Sequence, residues 1–331
     1  MTSIVSIRHR PSAAFVRLAC ARLGIFWAMG AALLAPAAAQ ISGDASSYNV
    51  FIFGSGSFTS QNTDTMGNLA VGGNASLSSY TVASGIAGNP SAATNPARLV
   101  VGGTLTATNG SVGSNGAGAI YTNAAPSLSG FTATGGVHAQ NVIGSFSSDA
   151  TQYASLATSL GKLTANGTTQ LSGSTLDFKG TSQGLNVFTV LGSTITAANT
   201  INISAPVGST VLVDILGNVT FQNGMLFETG VTASNVLFNA YQATSVDLVG
   251  GMNPEGSILA PDAGVVGGYG AMNGQLIAAS YSGNTQFNAS LFTGSLSAAP
   301  EASTLWLMAA GLLALGVLRR ARSDPRQAPT P

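Results

Sequence analysis

Few residues in this 331-residue chain can do chemistry, and their spacing argues against most reactions. His9 lies close to the N-terminus, which leaves His138 as the imidazole of the long middle region. A Ser-His-Asp triad would need His138 as its base, but Gly135-Gly136-Val137-His138 reads as a turn entering a strand. A histidine metal site fails for want of a second ring. Carboxylates remain, because glycoside hydrolysis needs two acids flanking the scissile bond. Asp44, Asp64, Asp149, Asp177, Asp214, Glu228, Asp247, Glu255 and Asp262 are isolated, with no pair at i, i+2 on one strand face. Asp64 with the oxygens of Asn62 and Asn68 offers either a single cation site or a turn-capping aspartate. Calcium-binding solenoids repeat an aspartate shortly after paired glycines. Here the double glycines are followed by Asn74, Thr104, Val137, Met252 and Tyr269. Gly-rich loops also lack the Lys-Ser/Thr pair that cradles phosphate. No catalytic residue, metal or cofactor is expected.

Charge narrows the partners. The chain has 11 Lys+Arg and 11 Asp+Glu, yet the basic residues gather at the ends. Only Arg98, Lys162 and Lys179 lie in the middle, so that region is acidic and too poor in cations for nucleic acid. Its 45% hydrophobic content is enough to bury a core. The one cysteine, Cys20, lies in the basic N-terminal stretch, so disulfides are not expected in the middle. What remains is a large Ser/Thr/Asn/Gln surface that hydrogen-bonds without strong electrostatic steering.

The ends read as delivery signals. A basic region to Arg22, an apolar run over residues 23–35, and Ala37 and Ala39 as an A-x-A cleavage site predict a signal peptide over residues 1–39. At the other end, Pro300-Glu301-Ala302 precedes an apolar run over residues 305–318 and the cluster Arg319, Arg320, Arg322. Those arginines predict a positive-inside stop that leaves the middle outside. This tail, over residues 299–323, resembles the PEP-CTERM sorting signal of Gram-negative bacteria. The resemblance implies an exosortase-type processing protease as a partner, with Pro300 and Glu301 as the recognition element. The usual second proline is Ala302 here. Residues 324–331 read as a disordered tail.

The elements between the signals are β-favouring. Tyr48-Asn49-Val50-Phe51-Ile52-Phe53 reads as a strand stopped by Gly54-Ser55-Gly56-Ser57, and similar runs recur at 185–190, 210–216, 219–221 and 236–238. In Val211-Leu212-Val213-Asp214-Ile215 the alternation predicts one buried face. Ala70-Val71-Gly72-Gly73 is echoed thirty positions later by Val100-Val101-Gly102-Gly103, with fainter echoes at 133–137, 248–251 and 265–268. A strand and a Gly-Gly corner recurring in this way predict coils of a solenoid; an antiparallel sandwich is the alternative. Tyr153, Leu156, Leu160 and Leu163 predict one amphipathic helix over 149–163, started by Asp149 and Gln152 and covering an edge or end of the core.

The run 48–54 followed by Asp64-Thr65-Met66-Gly67-Asn68-Leu69-Ala70-Val71-Gly72-Gly73, with Gly256-Ser257-Ile258-Leu259-Ala260-Pro261 and Asn273-Gly274-Gln275-Leu276 far downstream, is similar to the choice-of-anchor A group. That resemblance implies an adhesin-type domain of β-helical fold over residues 40–298, with no established catalytic residues. The expected fold is therefore mainly β: a parallel β-helix with one amphipathic helix, flanked by an N-terminal signal helix and a C-terminal transmembrane helix. The expected role is that of a non-catalytic adhesin or structural protein. It is exported, held in the inner membrane by its tail, and then displayed at the cell surface or in the biofilm matrix against extracellular polysaccharide or another matrix polymer. The alternatives are an ice- or polysaccharide-binding module and, more remotely, a polysaccharide-active enzyme. Ice binding asks for regular threonine ladders. Thr104, Thr106 and Thr108 alternate once, with no comparable ladder evident elsewhere in the sequence.

Overall fold

The computed structural model describes residues 40–86, 97–139, 142–222, 224–248 and 254–297. The chain enters in the middle of its own sheet. β1 (Val50–Ile52) and β2 (Phe58–Thr65) make one coil, and β3 (Leu69–Val71) with β4 (Ala75–Val82) make the next. β5 (Leu99–Val101) with β6 (Leu105–Val112), and β7 (Ile120–Thr122) with β8 (Ser127–Thr132), continue the stack, and β9 (Val137–His138) ends it. Short strands pair in parallel with short ones, and long with long.

Helix α1 (Phe146–Leu160) then carries the chain to a second set of coils. A hairpin of β10 (Thr168–Ser172) and β11 (Thr175–Lys179) precedes β12 (Leu185–Leu191), the short helix α2 (Gly192–Ala197) and β13 (Thr200–Ser204). β14 (Thr210–Leu216), β15 (Val219–Thr220) and β16 (Gly224–Thr229) follow, then β17 (Val236–Asn239) and β18 (Ser245–Leu248). The last coils hold β19 (Ser257–Gly267), β20 (Ala271–Asn273), β21 (Leu276–Gly283) and β22 (Gln286–Asn288). β21 returns to the start: Leu276 pairs with Val50 and Tyr281 with Phe58, all in parallel. β1 thus lies between β3 and β21, joining the two sets of coils. Parallel pairing throughout the large sheet excludes the antiparallel sandwich.

The thirty-residue echo is one coil. Ala70 pairs with Val100 and Val71 with Val101, and the Gly-Gly corners stack directly. A Cβ on Gly102 would lie 2.4 Å from the Gly72 carbonyl oxygen, so this corner requires glycine. The later echo belongs to a different corner, since Gly267 pairs with Leu248 at the end of the following face.

Two hydrophobic layers explain the strand patterns. Val50, Ile52, Val211, Val213 and Ile215 point into the interior of the coils. Phe51, Leu212, Leu237, Leu259 and Ile277 point the other way, into a second layer closed by Phe146, Tyr153, Ala157 and Leu160 of α1. The single buried face predicted for 211–215 is therefore corrected: both faces are buried, as expected where a helix covers a parallel sheet. The helix itself covers this face rather than an edge or end. It also starts earlier than predicted, because Ser145 is the N-cap and accepts from the Ser148 amide at 3.2 Å. Asp149 lies inside the first turn instead of capping it, and α2 is a second helix with no clear sequence signal. Among the described residues no helix is long and apolar enough to cross a membrane. The signal and sorting segments, with their expected flanking helices, lie outside the described residues.

Candidate functional site

The long strands build a flat polar face because their residues alternate in and out. Phe58, Leu77, Leu105 and Ala107 fill the interior, while their neighbours face solvent. Parallel register then aligns the outward side chains. Ser282, Thr59, Ser76, Thr106 and Ser127 form one row across β21, β2, β4, β6 and β8. Gln61, Ser78, Thr108 and Ser129 form a second row beside it. Every member of both rows is exposed and none carries a formal charge. Strand geometry spaces such groups about 4.8 Å apart across the sheet and about 6.6 Å apart along a strand.

Thr106 and Thr108 belong to this array; Thr104 does not, since it sits in the corner, where its backbone amide donates to Asn74 Oδ1 at 2.9 Å. The ladder that the sequence left isolated does recur, but mostly in serine. This face is the principal feature that sequence reasoning missed. The signal was the small hydroxyls at alternate positions of 76–78, 106–108 and 127–129, with Thr59 and Gln61 in the matching places of β2.

Each long strand then bends through a left-handed residue. Asn62, Ser79, Asn109 and Gly130 have φ of 54°, 49°, 55° and 63° and occupy equivalent positions of the register. Asparagine and glycine tolerate this region best. Beyond the bend, a further row runs through Asp64, Thr81, Ser111 and Thr132. Tyr80 lies beneath it, hydrogen-bonded to the Thr65 hydroxyl, and burial pushes its phenol well above the ordinary range.

Most of the other candidate residues have structural partners. His138 stacks on Tyr121 with ring centroids 4.9 Å apart, and its Nε2–H donates to the Gly135 carbonyl at 3.0 Å. Asn68 donates to the Ser47 carbonyl and accepts from Arg98, so the Asp64–Asn62–Asn68 cation trio is not assembled. Asp64 is a strand residue and not a turn cap, while Asn62 shares its groove. Asp44 accepts from the Gly144 amide, and Asp177 accepts from Asn202 and pairs with Lys179 at 3.6 Å. Asp247 accepts from Ser245 and Thr220, and Asn273 bonds to Glu255. Asp214 is buried between β12 and β17 and accepts from Asn239 at 2.7 Å. Burial pushes its carboxyl up to about 7, an effect the Asn239 bond partly offsets. Among the described residues no three His, Cys, Asp or Glu side chains gather. Ala37, Ala39, Pro300, Glu301, Arg319, Arg320 and Arg322 lie outside the described residues.

Comparison with solved structures returns ice-binding proteins at low identity. One, from an Antarctic biological consortium, is 13% identical with a TM-score of 0.38, covering 76% of this chain and 89% of that one. Another, from the Antarctic ascomycete Antarctomyces psychrotrophicus, is 14% identical with a TM-score of 0.37, covering 76% and 96%. A glycosylated ice-binding protein from an Arctic yeast is 13% identical with a TM-score of 0.36, covering 80% and 98%. No curated protein matches. A family model described as "Putative Ice-binding-like adhesive domain" matches residues 41–289, the greater part of the chain. The chain belongs to this family of ice-binding-like adhesive domains.

Proposed function

We propose that the chain is an exported, non-catalytic adhesive protein of the cell envelope or biofilm matrix that makes contact through its long-strand face. The observation carrying this reading is the pair of exposed, uncharged rows from Ser282 to Ser127 and from Gln61 to Ser129. Such an array offers many weak, equivalent donors and acceptors on a rigid sheet, which suits repetitive hydroxylated polymers. In this reading residues 1–39 direct export, and an exosortase-type protease acts at Pro300 and Glu301. Arg319, Arg320 and Arg322 hold the tail at the inner membrane until processing delivers the domain to the surface. The likeness to the choice-of-anchor A group supports a domain of this kind on such an anchor.

The test is a double variant, Thr106→Lys with Thr108→Lys. Both positions are exposed, so the fold is retained. Retention on a crystalline cellulose film is expected to fall at least tenfold, through lost hydrogen bonds and interrupted rows. Undiminished retention, with the wild type binding well, would remove the face from the reading.

Ice binding is the second reading, and the two-dimensional regularity of the same rows favours it. Thermal hysteresis in the wild type that disappears in the double variant would establish it. Hysteresis absent from the wild type would remove it.

A further inference from the structure

Beside the hydroxyl face, across the left-handed bend, lies an open groove of different chemistry. Asn62, Thr63, Asp64, Ser79, Thr81 and Gln286 line it. Asp64 is half-buried, and its Oδ1 is shut off from solvent with no hydrogen-bond partner. That leaves Oδ2 as the carboxylate oxygen available to the groove. The lining around it is neutral: two amides and three hydroxyls. Lys179 and Arg98 are engaged elsewhere, by Asp177 and Asn68.

The neighbouring coil carries an exposed aromatic ring. Tyr269 is 77% exposed, whereas Tyr48, Tyr80, Tyr121, Tyr153 and Tyr281 are buried. Its neighbour Gly270 accepts the Gln286 amide at 2.9 Å, and Ala271 pairs with Gln286. Thr65 pairs with Phe287, which places Asp64 beside Gln286 on the next strand. Tyr269 therefore stands on the coil flanking the groove. A buried tyrosine contributes to a core; one this exposed, between glycines, has an apolar face available for a ligand.

We infer that this groove is a saccharide subsite for a neutral pyranose unit of an extracellular polysaccharide. Asp64 accepts from a sugar hydroxyl through Oδ2, Asn62 and Gln286 bond flanking hydroxyls, and Tyr269 reaches over from the neighbouring coil to cover the apolar face of the ring. A calcium ion takes six to eight oxygens and several charged ligands, for which one carboxylate is too few, and it would leave the ring without a use. The inference rests on the adhesive reading and names one ligand class for it.

The test uses purified full-length chain on immobilised dextran, mannan and galactan, with wild type, Asp64→Asn, Tyr269→Ala and the control Val207→Ser. Wild type is expected to bind at least one polymer in the presence of EDTA. Asp64→Asn and Tyr269→Ala are each expected to weaken that binding about tenfold or more with unchanged melting temperature. Val207→Ser, at an exposed turn between β13 and β14 outside both the rows and the groove, is expected to bind the same polymer as wild type does. Wild type that binds none of the three, or groove variants that bind as wild type, would overturn the subsite. Binding abolished by EDTA and by Asp64→Asn, but untouched by Tyr269→Ala, would overturn it in favour of a cation. In each of these cases the cellulose-film result still decides the adhesive reading.

Discussion

Asp214 shows how one buried side chain sets a property of the fold. It sits on β14 opposite the exposed Thr189 and the buried Asn239, whose amide also donates to the Ala157 carbonyl of α1 at 2.9 Å. One of its carboxylate oxygens has no partner, so the charged form is poorly solvated and the carboxyl is pushed up to about 7 by burial. A folded-state value above the unfolded one favours the protonated fold. The stability it brings is present in full below the ordinary carboxylate range and is lost as pH rises through about 7. Burial raises Asp149 and Glu255 in the same direction. Three units of pKa correspond to about 4 kcal/mol. Asp214→Asn, neutral and of the same shape, is therefore expected to raise stability at pH 8 by up to about that amount. It is also expected to flatten the fall in melting temperature between pH 5 and 8. Parallel melting curves for wild type and variant across that range would remove the role assigned to Asp214.

At the scale of elements, the second hydrophobic layer ties helix to sheet. Phe51 is buried and meets Phe146 at 5.3 Å between ring centroids and Tyr153 at 6.3 Å. Phe51→Ala is expected to cost about 3–5 kcal/mol in a denaturant titration. Leu128→Ser is expected to cost far less, because Leu128 on the end strand β8 is already 37% exposed. Equal losses at the two positions would mean that α1 does not close the layer as described. The same contrast marks what could be read from the amino acids. The Gly-Gly echo was readable because glycine is obligatory where coils approach closely, as at Gly72 and Gly102. The period of a helix also identified Tyr153 and Leu160 as core. The second buried face of Val211-Leu212-Val213 was hidden because a helix distant in sequence supplies its cover. The hydroxyl face was hidden for a related reason: its rows join strands at unequal intervals, and serine substitutes for threonine, so no fixed period reveals them. Asp64 and Tyr269 lie far apart in the chain and come onto nearby coils only through the pairing of β20, β22 and β2.

At the scale of the whole molecule, the order of coils in space differs from the order in the chain. The first coil built, β1–β2, stays half-paired until the last, β21–β22, closes on it. Those contacts span most of the sequence, as Gln275 shows by donating to the Tyr48 carbonyl and Asn49 by donating to that of Gly274. Closing such long loops is slow, and the seam forms late. Once formed, it is tied on both sides, with β1 paired on both edges and Phe51 and Ile277 buried under α1. The opposite condition holds at β8, which among the described residues pairs only with β6 and exposes most of its side chains. Local opening should follow connectivity. In native-state hydrogen exchange, amides of β7, β8 and β9 are expected to exchange first. Those of Phe51 and Ile277 are expected to exchange only with global unfolding, at the free energy measured by denaturant. Seam amides exchanging as early as the end strands would mean that two sets of coils merely touch. Late exchange there means that the interrupted chain folds as one continuous stack, which is what keeps the rows from Ser282 to Ser127 in register across the seam.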